Sequence, residues 1–354
     1  MSEHHEEEAV GWDAIDEALK AIYPEQEPKH YAPLIPYLLG GGDPLNGISV
    51  YERTEPVPHW HYVTYGFSEL FEKESDDPKT SGYGFELTFR LKKETNDCEP
   101  PTWANHFLNN IARYVFSTGN VFAAGHHLNL NGPIAAEEET EIRAITFVQD
   151  PELEPIDTPN GNVEFLQVVG ITLEEETAVQ AWNCLKLMEL LAPYLPMYVT
   201  DLSRSSLLQH HQIAEAVEEG IEKDGSSTGS LFVDFLEWKE QKKAFGKNTY
   251  KVRLGAKQAE PIAQVLKGRL SKGKSLLLHH EGGHVEFLPA DQDAVEVQDG
   301  ILQVKLQPDS CTVFIQQLVP QARTFDIPGF PGIQFEIVKS YIKDQQGEVV
   351  EVIG

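Results

Sequence analysis

Two segments in the first third of the chain are dense in aromatic and β-branched residues, and they predict the central strands of a sheet. Residues 83–91 alternate apolar and polar side chains, the period-two pattern of a strand with one buried face. Residues 59–67 carry bulky side chains on both faces, as expected of a strand that is covered on both sides. The charged segment between them holds Pro78 and Gly82 and predicts a long surface connector.

Other apolar periodicities predict the elements that surround these two strands. Spacings of three and four residues predict helices at residues 12–22, 103–116 (with Thr102 as the N-cap), 174–191 and 213–221. Continuous or alternating apolar runs predict strands at residues 121–130 (with Gly125 inside), 142–148 and 163–171. Helices and strands that are interspersed in this way indicate an α/β (α+β) lobe.

The pattern changes after residues 223–229, KDGSSTG, which have the composition of a linker. Beyond them we predict mainly short strands, among them residues 262–270, 275–280, 285–288 and 312–318. The predicted organisation is a disordered acidic tail (1–10), an N-terminal α/β (α+β) domain with a mixed central sheet flanked by helices (11–222), the linker (223–229), and a smaller β-rich C-terminal domain (230–354).

Composition and charge narrow the classes of function. The chain of 354 residues is 41% hydrophobic and 24% charged, as globular proteins are, and its formal net charge is -28. A field of that sign repels nucleic acids and anionic membranes and attracts basic partners, so we expect neither a nucleic-acid nor a membrane partner. Without a membrane-length apolar run or a signal peptide, we expect a cytoplasmic protein. Three widely spaced cysteines predict no disulfide framework, and the sequence does not indicate an oligomeric state.

Two histidine motifs are candidates for metal chemistry. His280 to His284, HEGGH, matches the zinc-protease motif HExxH, which places both histidines on one helical face. Its two central glycines cost a helix about 1 kcal/mol each, and its flanks resemble strands, so a hairpin is favoured over a metal hydrolase. His59 and His61 share a strand face, but burial beside Trp60 is favoured over metal binding. We therefore predict no catalytic site, no metal site and no cofactor.

Several segments closely resemble the Suppressor of fused family, in the same order and with similar spacing. They are YLLGGGDPL (37–45), HWHYVTYGFSEL (59–70), GYGFELTFRLKKET (82–95), PPTWANHFLNNIARYVF (100–116), TPNGNVEFLQVVGIT (158–172) and GIEKDGSS (220–227). The resemblance is dense over residues 18–227 and weaker beyond residue 250, where VLKGRL (265–270) resembles a family strand.

The resemblance implies the same two-lobe fold and a non-enzymatic, protein-binding function. Animal members of the family hold Gli-type transcription factors in the cytoplasm by clamping a short extended peptide, as an added strand, between the lobes. By this resemblance the peptide-binding cleft of this chain would be lined by Tyr114, Gly125, His126, Leu128 and Val265. Gly125 would allow close backbone approach, Tyr114 and Leu128 would supply apolar contact, and His126 a pH-sensitive polar contact.

Two departures from the animal proteins keep an alternative open. The long insertion of the animal second lobe is replaced by a short connection near residues 237–249, and His126 stands where the animal groove has an acidic residue. The short form is similar to bacterial relatives that have been proposed as immunity proteins of polymorphic toxin systems. The alternative partner is therefore a basic toxin bound to the acidic surface. The structural alternatives are that Tyr114 is a core residue and that His126 only ends a strand.

Overall fold

The computed structural model describes residues 8–242, 248–343 and 348–354. Residues 1–7 of the predicted tail, and residues 243–247 of the short connection, lie outside this part. The chain divides into two compact units, one formed by the described residues up to Glu176 together with Cys184–Ile213, the other by Thr177–Asn183 and the described residues of Ala214–Gly354. No helix in the described ranges is long and apolar enough to cross a membrane.

The first unit is built on a mixed sheet, which confirms the predicted N-terminal fold class. Its strands are β1 (Lys29–Tyr31), β2 (Gly47–Arg53), β3 (His59–Tyr65), β4 (Thr80–Lys92), β5 (His127–Asn129), β6 (Ile142–Gln149), β7 (Ile156–Thr158) and β8 (Gly161–Thr172). Their order is β1-β2-β3-β4-β8-β6-β5, and β7 also pairs with β8. Strands β4 and β8 are parallel, whereas the other pairs described in this sheet are antiparallel.

Helices cover both faces of this sheet. In chain order the helices from the first residues to the end of the predicted linker are α1 (Val10–Ile22), α2 (Thr102–Thr118), α3 (Leu173–Ala181), α4 (Cys184–Leu191) and α5 (His211–Asp224). Ile15 and Leu19 of α1 pack with Tyr65 on one face, and α2 packs through Phe107 and Leu108 on the other. Because both faces are covered, β3 is buried along its whole length, as its sequence predicts.

Four local predictions for this region are wrong. The polar side chains of β4, Glu86, Thr88 and Arg90, are fully buried instead of facing solvent. The strand predicted at residues 121–130 is reduced to β5, because a turn at Gly125 with φ +93° precedes it. The single helix predicted at residues 174–191 is divided into α3 and α4, and Thr102 is the first residue of α2 instead of its cap.

The second unit is rich in short strands, as predicted. Its strands are β9 (Ser230–Phe232), β10 (Leu236–Gln241), β11 (Thr249–Gly255), β12 (Leu276–His280), β13 (Gly283–Pro289), β14 (Ala294–Gln298), β15 (Ile301–Leu306), β16 (Arg323–Ile327), β17 (Phe330–Val338), β18 (Ser340–Lys343) and β19 (Val349–Ile353). They form sheets with the orders β14-β15-β13-β12-β9, β10-β11-β17-β16 and β18-β19. A core that includes Leu254, Leu278, Phe287 and Phe335 fills this unit.

Two segments of the second unit that were predicted as strands are helical. Residues 262–270 belong to α6 (Ala259–Leu270), and residues 312–317 belong to α7 (Pro308–Gln317). Short apolar runs suit either element, and here burial of Ile262 and Leu266 one helical turn apart in the core favours the helix.

The predicted linker is closely packed within the second unit. Ser226 is fully buried, its backbone N–H donates to Gly268 O at 3.2 Å, and its hydroxyl donates to Gln180 O at 2.6 Å. The side chain of Arg269 donates to Ser226 O at 3.0 Å. These hydrogen bonds fix the backbone where the composition of the segment suggested freedom.

Candidate peptide-binding surface

Strand β5 ends the sheet of the first unit. It is only three residues long, and among the described residues it pairs with β6 alone. An edge strand leaves a row of backbone N–H and C=O groups unpaired, and another chain can pair with them.

The hydrogen bonds to β6 show which backbone groups of β5 point to the open side. The N–H of Phe147 donates to the C=O of His126 at 3.0 Å, so residue 126 faces β6. In an antiparallel pair alternate residues bond to the neighbouring strand. The N–H and C=O groups of His127 and Asn129 therefore point away from β6. They are the groups that an added strand would use.

An aromatic cluster lies beside this edge. The ring of Phe122 stacks on that of Phe147 with centroids 4.2 Å apart, and the ring of Tyr114 lies 5.8 Å from that of Phe122. Tyr114 is 37% exposed, although Ile111, one turn earlier in α2, is buried. The side chain of Asn120 donates to the Tyr114 hydroxyl at 3.1 Å. The ring of Tyr114 is thus partly buried and partly available to a ligand.

Gly125 forms the turn that leads into β5. Its φ of +93° lies in the left-handed region, which residues with a Cβ atom seldom adopt. Its N–H donates to Phe147 O at 2.8 Å. A Cβ atom at this position would lie 3.4 Å from the side chain of Leu185 in α4, which is itself 46% exposed. Gly125 and Leu185 together form a small apolar surface next to β5.

The imidazole of His126 is exposed and held by its own turn. The N–H of Ala123 donates to His126 Nδ1 at 3.3 Å, and the hydroxyl of Thr146 donates to His126 O at 2.9 Å. Partial burial, and then the neighbouring His127, lower the pKa of His126 below its ordinary value. The lowered pKa favours the neutral ring at pH 7. Because Nδ1 accepts from Ala123, Nε2 carries the proton and can donate one hydrogen bond.

The structure gathers four of the five predicted site residues around Phe147 and leaves one out. Tyr114, Gly125 and His126 lie at the edge, and Leu128 in β5 packs half-buried against the core below α2. Val265 lies in α6, and its side chain is completely buried in the core of the second unit, so it offers no surface to a ligand. Sequence reasoning missed Phe122 and Leu185. Leu185 could have been found from the sequence, because it is an apolar residue that lies off the buried face of the amphipathic helix α4.

The HEGGH segment forms the predicted hairpin. His280 ends β12 and pairs with Gly283 at the start of β13, so His280 and His284 lie on different strands. The helix that a zinc protease needs at this motif is therefore not formed. In the described part of the chain, no group of three or more His, Cys, Asp or Glu side chains is placed to hold a metal ion.

His59 and His61 are buried and bonded to the protein. Nδ1 of His59 lies 2.7 Å from Val57 O, and Nδ1 of His61 lies 2.7 Å from the Tyr23 hydroxyl. Burial, and then the charge of Arg90, lower the pKa of His61 to about 4. Both side chains have the contacts of structural residues.

Comparisons with known proteins identify the family. The model of the family "Suppressor of fused protein (SUFU)" matches residues 41–205. The mouse Suppressor of fused homolog is 35% identical over an aligned length of 284 residues, and the match covers 73% of this chain and 58% of that protein. A crystal structure of the Sufu–Fu complex contains a chain that is 32% identical; the match has a TM-score of 0.54 and covers 60% of this chain and 97% of that one. The chain belongs to the Suppressor of fused family.

The fold similarity extends beyond the region that the family model matches. The crystal structure of Drosophila Suppressor of Fused is similar with a TM-score of 0.77 and 22% identity, covering 93% of this chain and 97% of that chain. Over 93% of its length the chain therefore has the fold of that protein, whereas the region matched to the mouse relative spans 58% of that relative's length.

Proposed function

We propose that this member of the Suppressor of fused family is a non-enzymatic protein-binding module that takes up an extended segment of a partner as an added strand on β5. The observation that carries the proposal is the open edge of β5, where the backbone groups of His127 and Asn129 point away from β6. Strand addition gains affinity from main-chain hydrogen bonds. The family resemblance supports clamping of the same segment between the two lobes.

The side chains beside the edge would supply specificity. Tyr114, Phe122 and Leu185 offer apolar contact to alternate side chains of the bound segment. Neutral His126 offers one hydrogen bond at the end of the strand. The known Sufu–Fu complex supports a protein as the partner, because that relative is crystallised in a complex.

The edge can be tested with two substitutions at one residue. The side chain of Asn129 donates to Glu176 Oε2 at 2.6 Å and accepts from the N–H of Asn131 at 2.8 Å. Both Asn129→Ala and Asn129→Pro remove these side-chain bonds, but only proline also removes the outward N–H. Edge strands tolerate proline where the N–H faces away from the sheet. We expect partner capture from a lysate of the native host, quantified by mass spectrometry, to fall at least tenfold with Asn129→Pro and to persist with Asn129→Ala.

The aromatic contact is tested in the same experiment. Tyr114→Ala is expected to reduce capture of the same partner about tenfold, as removal of a buried interface tyrosine commonly does. Tyr341→Ala is the matched control, because Tyr341 is an exposed tyrosine of the second unit. Equal capture by wild type, Asn129→Pro and Tyr114→Ala would remove β5 and its surroundings from the binding site.

A second candidate function rests on the net charge of -28. A protein this acidic attracts basic partners, and neutralisation of a basic toxin by the acidic surface would need no contact with β5. Asn129→Pro would then leave binding intact. The salt dependence of binding separates the two functions.

A further inference from the structure

A pair of histidines faces outward from the hairpin of the second unit. His279 of β12 lies directly opposite His284 of β13. Leu278 and Val285, the adjacent residues of the two strands, are fully buried, so the histidines lie on the opposite, outer face of the sheet. Their Nδ1 atoms are 3.2 Å apart.

The geometry of the pair is held by the sheet. Strand β9 pairs with β12 so that Phe232 lies beside His279, and the two rings stack with centroids 5.1 Å apart. The ring of His284 meets that of His279 at 72°. One imidazole is thus held between an aromatic ring and the second imidazole, on a backbone that the strand pairing fixes.

We propose that His279 and His284 form a two-histidine site for a divalent transition-metal ion of the Zn²⁺ or Cu²⁺ class, with water in the remaining positions. Zn–N bonds of about 2.0–2.1 Å at a tetrahedral angle require two ligand nitrogens about 3.3 Å apart. The observed Nδ1–Nδ1 distance of 3.2 Å, at which the two rings share a hydrogen bond, matches this spacing, and the metal ion would take the place of the bridging proton. The site differs from the HExxH motif, which would pair His284 with His280 instead of His279. It is also independent of partner binding at β5.

The chemistry and surroundings of the pair suit a cation. A metal ion binds imidazole through an unprotonated ring nitrogen, and each ring of the pair presents its Nδ1 to the other. Glu286 lies two residues from His284 on the same side of β13, and the whole chain carries a net charge of -28. Since the described part of the chain brings no third His, Cys, Asp or Glu side chain to a common site, binding must depend on both histidines.

The test is isothermal titration of the full chain with Zn²⁺. The parent for all measurements carries His4→Gln and His5→Gln, which removes the adjacent histidines near the start of the sequence. We expect one equivalent of Zn²⁺ to bind, and either His279→Gln or His284→Gln to weaken binding at least tenfold. His210→Gln is the matched control, because it removes an exposed histidine from another part of the chain. The His210→Gln variant should bind Zn²⁺ with the same affinity as the parent.

A second measurement keeps the result independent of heats of dilution. A ligand that binds only the folded state raises the melting temperature, so saturating Zn²⁺ should raise that of the parent and of His210→Gln. It should not raise that of His279→Gln or His284→Gln, whose circular dichroism should match that of the parent without metal. The proposal is overturned if the parent binds no Zn²⁺, or if either histidine of the pair can be replaced without loss of affinity.

Discussion

Arg90 lies on the polar side of β4, and its guanidinium is buried because a distant loop supplies the counter-charge. Asp150 accepts from Arg90 Nη1 at 2.5 Å and from Nη2 at 3.1 Å, and Glu152 accepts from Nη2 at 3.0 Å. Burial alone would raise the pKa of Asp150, but contacts with His61 and Arg90 lower it well below its usual range. The carboxylate therefore stays charged, and the pair is ionic throughout the neutral range.

The sequence correctly predicted the alternation in β4 but not the burial of its polar face. A polar residue at every second position gives the same pattern whether that face meets water or a buried counter-charge. The decisive partner, Asp150, is 60 residues away along the chain. Periodicity is a local signal and contains no information on such a contact.

Asp150→Asn is expected to destabilise the first unit strongly. The change leaves the buried charge of Arg90 without its main partner, which typically costs about 3–5 kcal/mol. Urea unfolding followed by circular dichroism measures the loss. Lys305→Met is the control, since it removes the exposed ion pair between Lys305 and Glu296, whose atoms lie 2.6 Å apart. That change should cost less than about 1 kcal/mol. Similar losses for the two variants would contradict this account of the buried pair.

The elements that were predicted correctly are the long and regular ones. Helices α1 and α2 have clear helical periods and β8 follows a long apolar run, and the burial of their side chains agrees with these patterns. Helix α6 was missed although Ile262, Leu266 and Leu270 recur at helical spacing, because VLKGRL was interpreted as a short apolar strand. Gly268 inside that run does not discriminate between the two elements, since glycine is unfavourable in both helices and strands.

Gly268 is required by a close approach and not by helix formation. A Cβ atom there would lie 2.9 Å from the backbone N of Ser226 and 3.4 Å from Ala181 O. The buried Ser226 belongs to the segment predicted as a linker. Because Gly268 has no side chain, this segment can pack against α6.

Gly268→Ala is expected to lower the stability of the second unit despite the better helix propensity of alanine. Propensity alone would gain about 1 kcal/mol. The new methyl group meets backbone atoms that cannot rotate away, and such overpacking costs about 1–3 kcal/mol. Thermal unfolding measures the difference. Gly132→Ala is the control, because nothing lies within 4 Å of the added Cβ, and it should change stability by less than about 0.5 kcal/mol. A higher melting temperature for Gly268→Ala would show that the contact relaxes easily.

At the scale of the whole molecule, the predicted site residues of the first unit lie near one sheet edge, whereas the predicted residue of the second unit is buried in a core. The resemblance to the family is dense over residues 18–227, the range that holds Tyr114, Gly125, His126 and Leu128, and the structure brings these residues to one edge of the sheet. The resemblance is weaker around Val265, where it indicated a strand but the structure has helix α6. Residues near a site can be carried over from a family only where the local element is also correctly assigned.

The net charge of -28 acts over the whole surface and makes salt the sharpest test between the two proposed functions. Raising ionic strength from 0.1 M to 1 M shortens the screening length from about 10 Å to about 3 Å. Attraction of a basic partner to the acidic surface weakens accordingly. Main-chain hydrogen bonds and apolar contacts at β5 are much less affected. The two functions therefore predict different slopes for the same measurement.

For the partner captured by wild type, we expect the Kd to rise no more than about threefold as NaCl is raised from roughly 0.05 M to roughly 0.3 M. Biolayer interferometry with that purified partner gives the Kd at each concentration. Replacing NaCl with KCl at equal ionic strength is the control for ion-specific effects. A rise of the Kd by more than tenfold, equal in wild type and Asn129→Pro, would assign binding to the acidic surface. The variant, which cannot add a strand at β5, would then still bind the partner. A Kd of wild type that changes little with salt, together with loss of binding in Asn129→Pro, would assign binding to the edge of the sheet.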